Sequence, residues 1–188
     1  MTSVPKVAVL IGSLRRESYN RRMALALQAM AQGTLDLQLI GIGALPLYNQ
    51  DLDATPPVEW TVFRDAVKAC DALLFVTPEY NRSVPGVLKN ALDIGSRPYG
   101  HSVWGGKPGA VISVSPGAIG GFGANHHLRQ SLVFLDVQTL AQPEAYLGSA
   151  ATLFDAEGRI ANEGTRGFMQ KFLEAFAAWV VLHRKATP

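Results

Sequence analysis

Val7-Ala8-Val9-Leu10-Ile11 runs directly into Gly12-Ser13-Leu14-Arg15-Arg16-Glu17-Ser18-Tyr19-Asn20. The first five residues form a short apolar run of the kind that makes a buried strand. Beyond the polar stretch, Met23, Ala24, Leu27 and Met30 recur on one helical face. A strand therefore enters a helix through a polar loop. The unpaired N–H groups at such a helix start point outward and attract an anion. Ser13, Ser18 and Asn20 add side-chain donors, and Arg15 adds a charge-assisted one. A phosphate monoester suits this set. The same residues also admit a plainer role, with Ser18 and Asn20 capping the helix and Arg15 and Arg16 solvated. The loop is neither Gly-x-Gly-x-x-Gly nor Walker A. Hydroxyls and an arginine stand where glycines would admit a pyrophosphate, which suits a single terminal phosphate.

Working outward, 188 residues of which 48% are hydrophobic predict one α/β domain over residues 1–188. The net charge is only +2. Lys6, Arg15, Arg16, Arg21 and Arg22 make a local basic patch too sparse for a nucleic-acid surface. The single Cys70 excludes an internal disulfide and fits a reducing cytoplasm. No apolar run approaches the roughly 18 residues of a membrane helix, so no membrane partner is expected. The N-terminus lacks the pattern of a signal peptide. No internal repeat is found.

Apolar runs alternate with amphipathic helical patterns along the chain, as in a doubly wound sheet. Strands are expected at Lys6–Ile11, Asp36–Ile40, Ala72–Val76, Pro108–Val114 and Asp136–Leu140, with a further extended stretch at Ala145–Leu147. Leu35, Leu37 and Leu39 alternate with polar residues, which suggests an edge for the second strand. Helices are expected at Tyr19–Gln32, Val58–Ala69, Pro85–Gly95, Asn125–Phe134 and Gly164–His183. Trp60, Phe63 and Val67 share a face that Cys70 extends, which makes the thiol structural. Ser83 is a candidate helix cap. Phe168, Phe172, Ala175, Trp179 and Leu182 form the expected buried stripe of the last helix, and Arg184 and Lys185 suit its C-terminal dipole end. Gly41–Pro57 is a loop that could wrap over a neighbour. Five strands and five helices, on both faces, give a flavodoxin-like parallel sheet ordered 2-1-3-4-5.

In such sheets ligands bind beyond the carboxyl ends of the strands. Three loops meet there. The first is the phosphate candidate. The second is Thr77-Pro78-Glu79-Tyr80-Asn81-Arg82-Ser83, where backbone groups of Glu79–Asn81 can meet the polar edge of a flavin and Tyr80 can cover a ring face. An ordinary proline-containing turn is the competing reading. The third is Ser115-Pro116-Gly117-Ala118-Ile119-Gly120-Gly121-Phe122-Gly123. Its four glycines in seven positions let backbone approach a flat ligand, or simply make a flexible turn. Ser113 and Ser115 lie near enough to contact that ligand.

Gly12-Ser13-Leu14-Arg15 with Ser18 and Asn20, Thr77-Pro78-Glu79-Tyr80-Asn81, and Pro116-Gly117 with Gly120-Gly121 resemble the NAD(P)H-dependent FMN reductases. The similarity is to the branch containing bacterial quinone and chromate reductases. It extends through His127-Leu128-Arg129-Gln130 and the terminal helix. The resemblance implies non-covalent FMN, its phosphate in the first loop and its isoalloxazine against the second. The implied binding set is Ser13, Leu14, Arg15, Ser18, Asn20, Pro78, Glu79, Tyr80, Asn81, Ser115 and Gly117. It implies hydride transfer from NADPH or NADH to flavin N5 and then to a quinone, azo compound, chromate or free flavin, in ping-pong order. It also implies a homodimer or homotetramer, with Arg129, Glu144 and Tyr146 as candidate subunit contacts.

The cofactor then carries the chemistry, and no catalytic side chain is assigned. Ser13 and Ser18 have no evident base partner, and His126-His127 do not match a metal-ligand spacing. Glu79 as a general acid ranks below its backbone role. Two other functions compete. A flavodoxin-type one-electron carrier would present an acidic face, whereas the isoelectric point is near 8.8. A non-flavin regulatory module on the same fold would not need the three-loop constellation.

Overall fold

The structure, a computed structural model, describes residues 3–184. Lys185 lies outside the described residues. The elements run β1 (Lys6–Ile11), α1 (Tyr19–Met30), β2 (Asp36–Ile40), α2 (Val58–Lys68), β3 (Ala72–Thr77) and α3 (Gly86–Gly95). They continue with β4 (Pro108–Val114), α4 (Phe122–Phe134), β5 (Gln138–Thr139), β6 (Ala145–Leu147) and α5 (Glu163–His183). All strand pairs are parallel, in the order β2-β1-β3-β4-β5, and β6 also pairs with β4.

The strands β1 and β3 explain the two cores. Side chains alternate between faces of a strand. Val7, Val9, Leu74 and Val76 pack with Met23 and Leu27 of α1 and Phe172 and Phe176 of α5. Ala8, Leu10, Leu73 and Phe75 pack on the other side with Trp60 and Phe63 of α2, Leu88 of α3 and Leu128 of α4. Helices therefore cover both faces, and β3, apolar at five successive positions, is buried throughout. Trp104 is wholly buried on the second side, 6.1 Å from both Phe63 and Phe75, with its Nε1–H donating to Leu92 O at 3.0 Å. Cys70 packs into this same core, and burial pushes its thiol pKa up.

Four expectations are corrected. The fifth strand does not occupy Asp136–Leu140: Asp136 has φ 57°, and only Gln138–Thr139 form a strand. The rest of that sheet position is filled by Ala145–Leu147, beside Ile112–Val114 of β4. Pro143 lies in the break and has no N–H for a ladder. In α5 Phe172 is buried and Phe168, Ala175 and Trp179 pack partly buried against the core as expected, but the face centres on Met169, Phe172, Leu173, Phe176 and Val180, and Leu182 is 72% exposed. This helix is apolar over a wide arc, so its pattern does not single out the face that packs. α4 begins at Phe122, not Asn125. Ser83 does not cap α3, whose N-cap is Pro85 with no side-chain bond. The loop after β2 folds onto its own chain: Asn90 accepts from Tyr48 N at 2.8 Å and donates to Leu45 and Pro46 carbonyls. β2 does lie at the sheet edge.

Candidate functional site

The carboxyl ends of β1, β3 and β4 are neighbours because the strands are, and their loops meet there. Gly12 N donates to Val76 O at 2.9 Å, joining the first loop to the end of β3. Asn20 Nδ2, on α1, donates to Val114 O at the end of β4, 3.2 Å away. Glu79, after β3, accepts from Ala124 N of α4 at 3.0 Å.

In the first loop Ser18 is the N-cap of α1, its hydroxyl accepting from Arg21 N at 3.2 Å. The amides of Tyr19 and Asn20 precede the first possible intrahelical bond, so they are free to face an anion. Asn20 is almost fully buried, and its Oδ1 has no hydrogen-bond partner. An unpaired buried polar atom costs about 1–3 kcal/mol. A hydroxyl donor held at the helix start would remove that cost, and both a ribityl chain and a protonated phosphate carry one. Ser13 is half-buried, whereas Leu14 and Arg15 are exposed. The Arg15 guanidinium stands 5.8 Å from the centre of the Tyr19 ring.

In the second loop Pro78 and Glu79 are half-buried and Tyr80 and Asn81 exposed. Residues 80–83 form a tight turn with Asn81 and Arg82 both at positive φ. The Glu79 carboxylate accepts from Ala124 N at the start of α4 and from Arg82 Nη1 at 3.2 Å. It stabilises that helix start, which leaves its backbone rather than its carboxylate for a ligand.

The third loop is braced by the segment after β6. Ser115 N donates to Leu147 O at 2.9 Å, and Ser115 O accepts from Ala150 N at 3.2 Å. The Ser115 hydroxyl accepts from Gly117 N at 3.3 Å. Gly120 has φ 67°, and a Cβ there would lie 2.6 Å from the carbonyl carbon of Tyr146. Only glycine meets both demands. Ser113 is wholly buried and its hydroxyl accepts from Asn125 Nδ2 at 3.3 Å, so it faces the interior.

Beside this loop Phe122, His126 and Tyr146 cluster, with Tyr146 Oη 2.9 Å from His126 Nε2. Burial first, then the hydrogen bond and charge of Glu144, push the Tyr146 phenol up to about 12. Arg129 spends its donors within the chain, on Asn125 Oδ1 at 2.9 Å and Leu140 O at 2.8 Å. Sequence reasoning missed this network, the Glu79 contact and the Ser83–His127 bond at 2.8 Å. Apart from Phe122–His126 and Arg129–Asn125, four positions apart, and Glu144–Tyr146, these contacts join residues 11 or more positions apart, through side chains whose types are common on surfaces.

A concavity of about 980 Å³ lies elsewhere, between α3, residues 96–105 and the flank of α4. It shares only Ser83 with the three loops, and the sides of helices wall it rather than strand ends. In an open α/β sheet the strand ends are where nucleotide-like ligands sit. Among the described residues no group of three metal-ligating side chains occurs, and no helix is long and apolar enough to cross a membrane.

The strand order and this edge place the chain in the flavodoxin-like class. Its residues 5–152 match the model of the NADPH-dependent FMN reductase family, and the chain belongs to that family. It is 61% identical over 185 residues to a quinone reductase of Pseudomonas putida, covering 98% of this chain and 99% of that one. It is 50% identical to a 2-hydroxy-1,4-benzoquinone reductase of a Burkholderia species, covering 93% of this chain and 96% of the other. Among solved structures it superposes on FerB, a flavoenzyme NAD(P)H:(acceptor) oxidoreductase of Paracoccus denitrificans. There the TM-score is 0.93 and the identity 43%, over 97% of this chain and all of that one.

Proposed function

We infer that this protein is an FMN-dependent NAD(P)H oxidoreductase whose electron acceptors are quinones. The observation that carries the reading is the convergence of three loops at the ends of β1, β3 and β4. There the start of α1 carries free amides and a buried Asn20 with an unpaired oxygen. The similarity to quinone reductases over nearly the full chain supports the same reading. When bound, FMN supplies the chemistry of accepting hydride from a nicotinamide and passing it to the acceptor.

The chain's own residues bind, orient and shield. The amides at the α1 start, with Ser13, Arg15, Ser18 and Asn20, hold the phosphate. The backbone of Leu14 continues that wall. Glu79 and Asn81 present backbone groups to the polar edge of the ring, Pro78 stiffens the turn, the Tyr80 side chain covers a ring face, and Ser115 and Gly117 close the other side. No side chain is needed to move a proton, because water reaches the exposed loops. One FMN-binding unit spans residues 1–188. Azo compounds, chromate and free flavin would reach the same open face. The protein acts in the cytoplasm, a reading supported by its one cysteine, free and buried. It works as a homodimer or homotetramer. Tyr99 and Phe134, 91% and 89% exposed at the rim of the large cleft, support this, since a second copy would cover them.

The test is anaerobic addition of NADPH to the FMN-reconstituted protein, followed in the visible spectrum. Rapid bleaching, reversed by a quinone, is expected. A bound flavin that NADPH leaves oxidised and only dithionite reduces would replace this reading with the one-electron carrier.

A further inference from the structure

The turn that ends the second loop is closed by two backbone bonds, Tyr80 N to Ser83 O at 3.1 Å and Ser83 N to Tyr80 O at 3.0 Å. Its central residues, Asn81 at φ 51° and Arg82 at φ 64°, are both left-handed and neither is glycine. Side chains with a Cβ disfavour that backbone, so the shape persists only where its surroundings impose it. The side-chain contacts around it lead to α4. Glu79 Oε2 accepts from Ala124 N at 3.0 Å and anchors the entry to the turn. Arg82 reaches Glu79 at 3.2 Å, but Arg82 is 75% exposed, and such a pair contributes little. The far end is held by Ser83 Oγ, 2.8 Å from His127 Nδ1.

We propose that His127 is a positioning residue. Through Ser83 it fixes the Tyr80–Ser83 turn in the shape that receives the flavin ring. This rests on the reading that the protein binds FMN at the three loops. α4 then has two tasks. Its first turn donates an N–H to the Glu79 carboxylate, and the next turn latches the strained end of the same loop. The ring-binding backbone is thereby set before the cofactor arrives, so less ordering remains to be done on binding.

The test compares His127→Ala, Ser83→Ala, the double variant and His127→Asn, whose side-chain amide can occupy the position of Nδ1. Two readouts are taken. The first is amide hydrogen exchange at Tyr80 and Ser83 in the FMN-free protein. The second is the FMN dissociation constant from flavin fluorescence. Loss of one such bond corresponds to a change of about three- to tenfold. Either alanine variant is expected to speed exchange at Ser83 and weaken FMN binding by that factor. The double variant should do no more than either single. His127→Asn should stay within about twofold of the wild type. Unchanged exchange in His127→Ala, additive effects in the double variant, or faster exchange with unchanged FMN affinity would each overturn the proposal. A wild-type protein that binds no FMN, with exchange still shifted in the variants, would remove the proposed function and leave the latch standing.

Discussion

Asn20→Ala separates a residue placed for a ligand from one placed for the fold. In the FMN-free protein the substitution removes the Nδ2 bond to Val114 O, 3.2 Å long, at a net cost of about 0.5–1.5 kcal/mol. It also removes the unpaired Oδ1, whose burial costs about 1–3 kcal/mol. The two nearly offset, and alanine's better helix propensity adds a few tenths of a kcal/mol at this first-turn position. The FMN-free variant should therefore be as stable as the wild type, or up to about 2 kcal/mol more stable. At this chain length that is a rise in Tm of zero to about 8 °C. FMN binding should fall by about three- to tenfold, the effect of losing one neutral hydrogen bond from a ligand hydroxyl to Oδ1, about 0.5–1.5 kcal/mol. Thermal unfolding and fluorescence titration on the same preparation give both numbers. A loss of 2 kcal/mol in the FMN-free protein with unchanged FMN affinity would refute the reasoning and make Asn20 a structural tie alone.

Three further outcomes are expected. The Arg64 guanidinium donates to the carbonyls of Ile94 and Gly95 at the end of α3, to Arg97, and to His101 O at 2.7 Å. Arg64→Ala should cost about 2 kcal/mol, seen as a Tm about 4–8 °C lower; an unchanged Tm would show these bonds to be idle. A Cβ at Gly95 would lie 2.6 Å from Trp104 Nε1, so Gly95→Ala should cost about 1–3 kcal/mol through overpacking. Denaturant unfolding checks this, and a stabilised variant would contradict it. In a spectrophotometric alkaline titration, Tyr146 should ionise near pH 12. Because its folded pKa is raised, its stabilising contribution is complete below the ordinary phenol pKa near 10 and fades as pH climbs towards 12. Tyr146→Phe should remove that last spectral phase; its survival would place the raised pKa on another tyrosine.

The parallel sheet was legible because β1, β3 and β4 are continuous apolar runs that need cover on both faces, and each is followed by a turn into a helix. The alternation at Leu35, Leu37 and Leu39 likewise marked β2 as an edge. Legibility failed where a local pattern has two solutions. Val137 and Leu140 look like strand residues, yet the left-handed Asp136 and the interruption around Pro143 divide that sheet position between two short strands. The α5 stripe was read correctly at Phe168, Phe172, Ala175 and Trp179, but Leu182 was wrongly included and the buried Met169, Leu173, Phe176 and Val180 were missed, because apolar residues surround much of the helix. At the site, the three loops could be read from their strand ends and residue types. Their bracing could not. Asn20 with Val114, Glu79 with Ala124 and Ser83 with His127 are separated by 94, 45 and 44 positions. Nothing local distinguishes such residues from solvated polar ones. The start of α4 shows the same limit. Glu79 bonds its third amide from across the sheet edge, and the helix begins three residues earlier than its own pattern indicates.

The central claim is that the three strand-end loops, and not the larger cleft between α3 and α4, hold FMN. A crystal structure of the FMN complex tests it most directly. The phosphate is expected on the amides that open α1, within hydrogen-bond distance of Ser18 and Asn20, and the ring against Pro78–Asn81. A flavin seated among Lys89, Arg97, Gln130 and Phe134 in the cleft would contradict it.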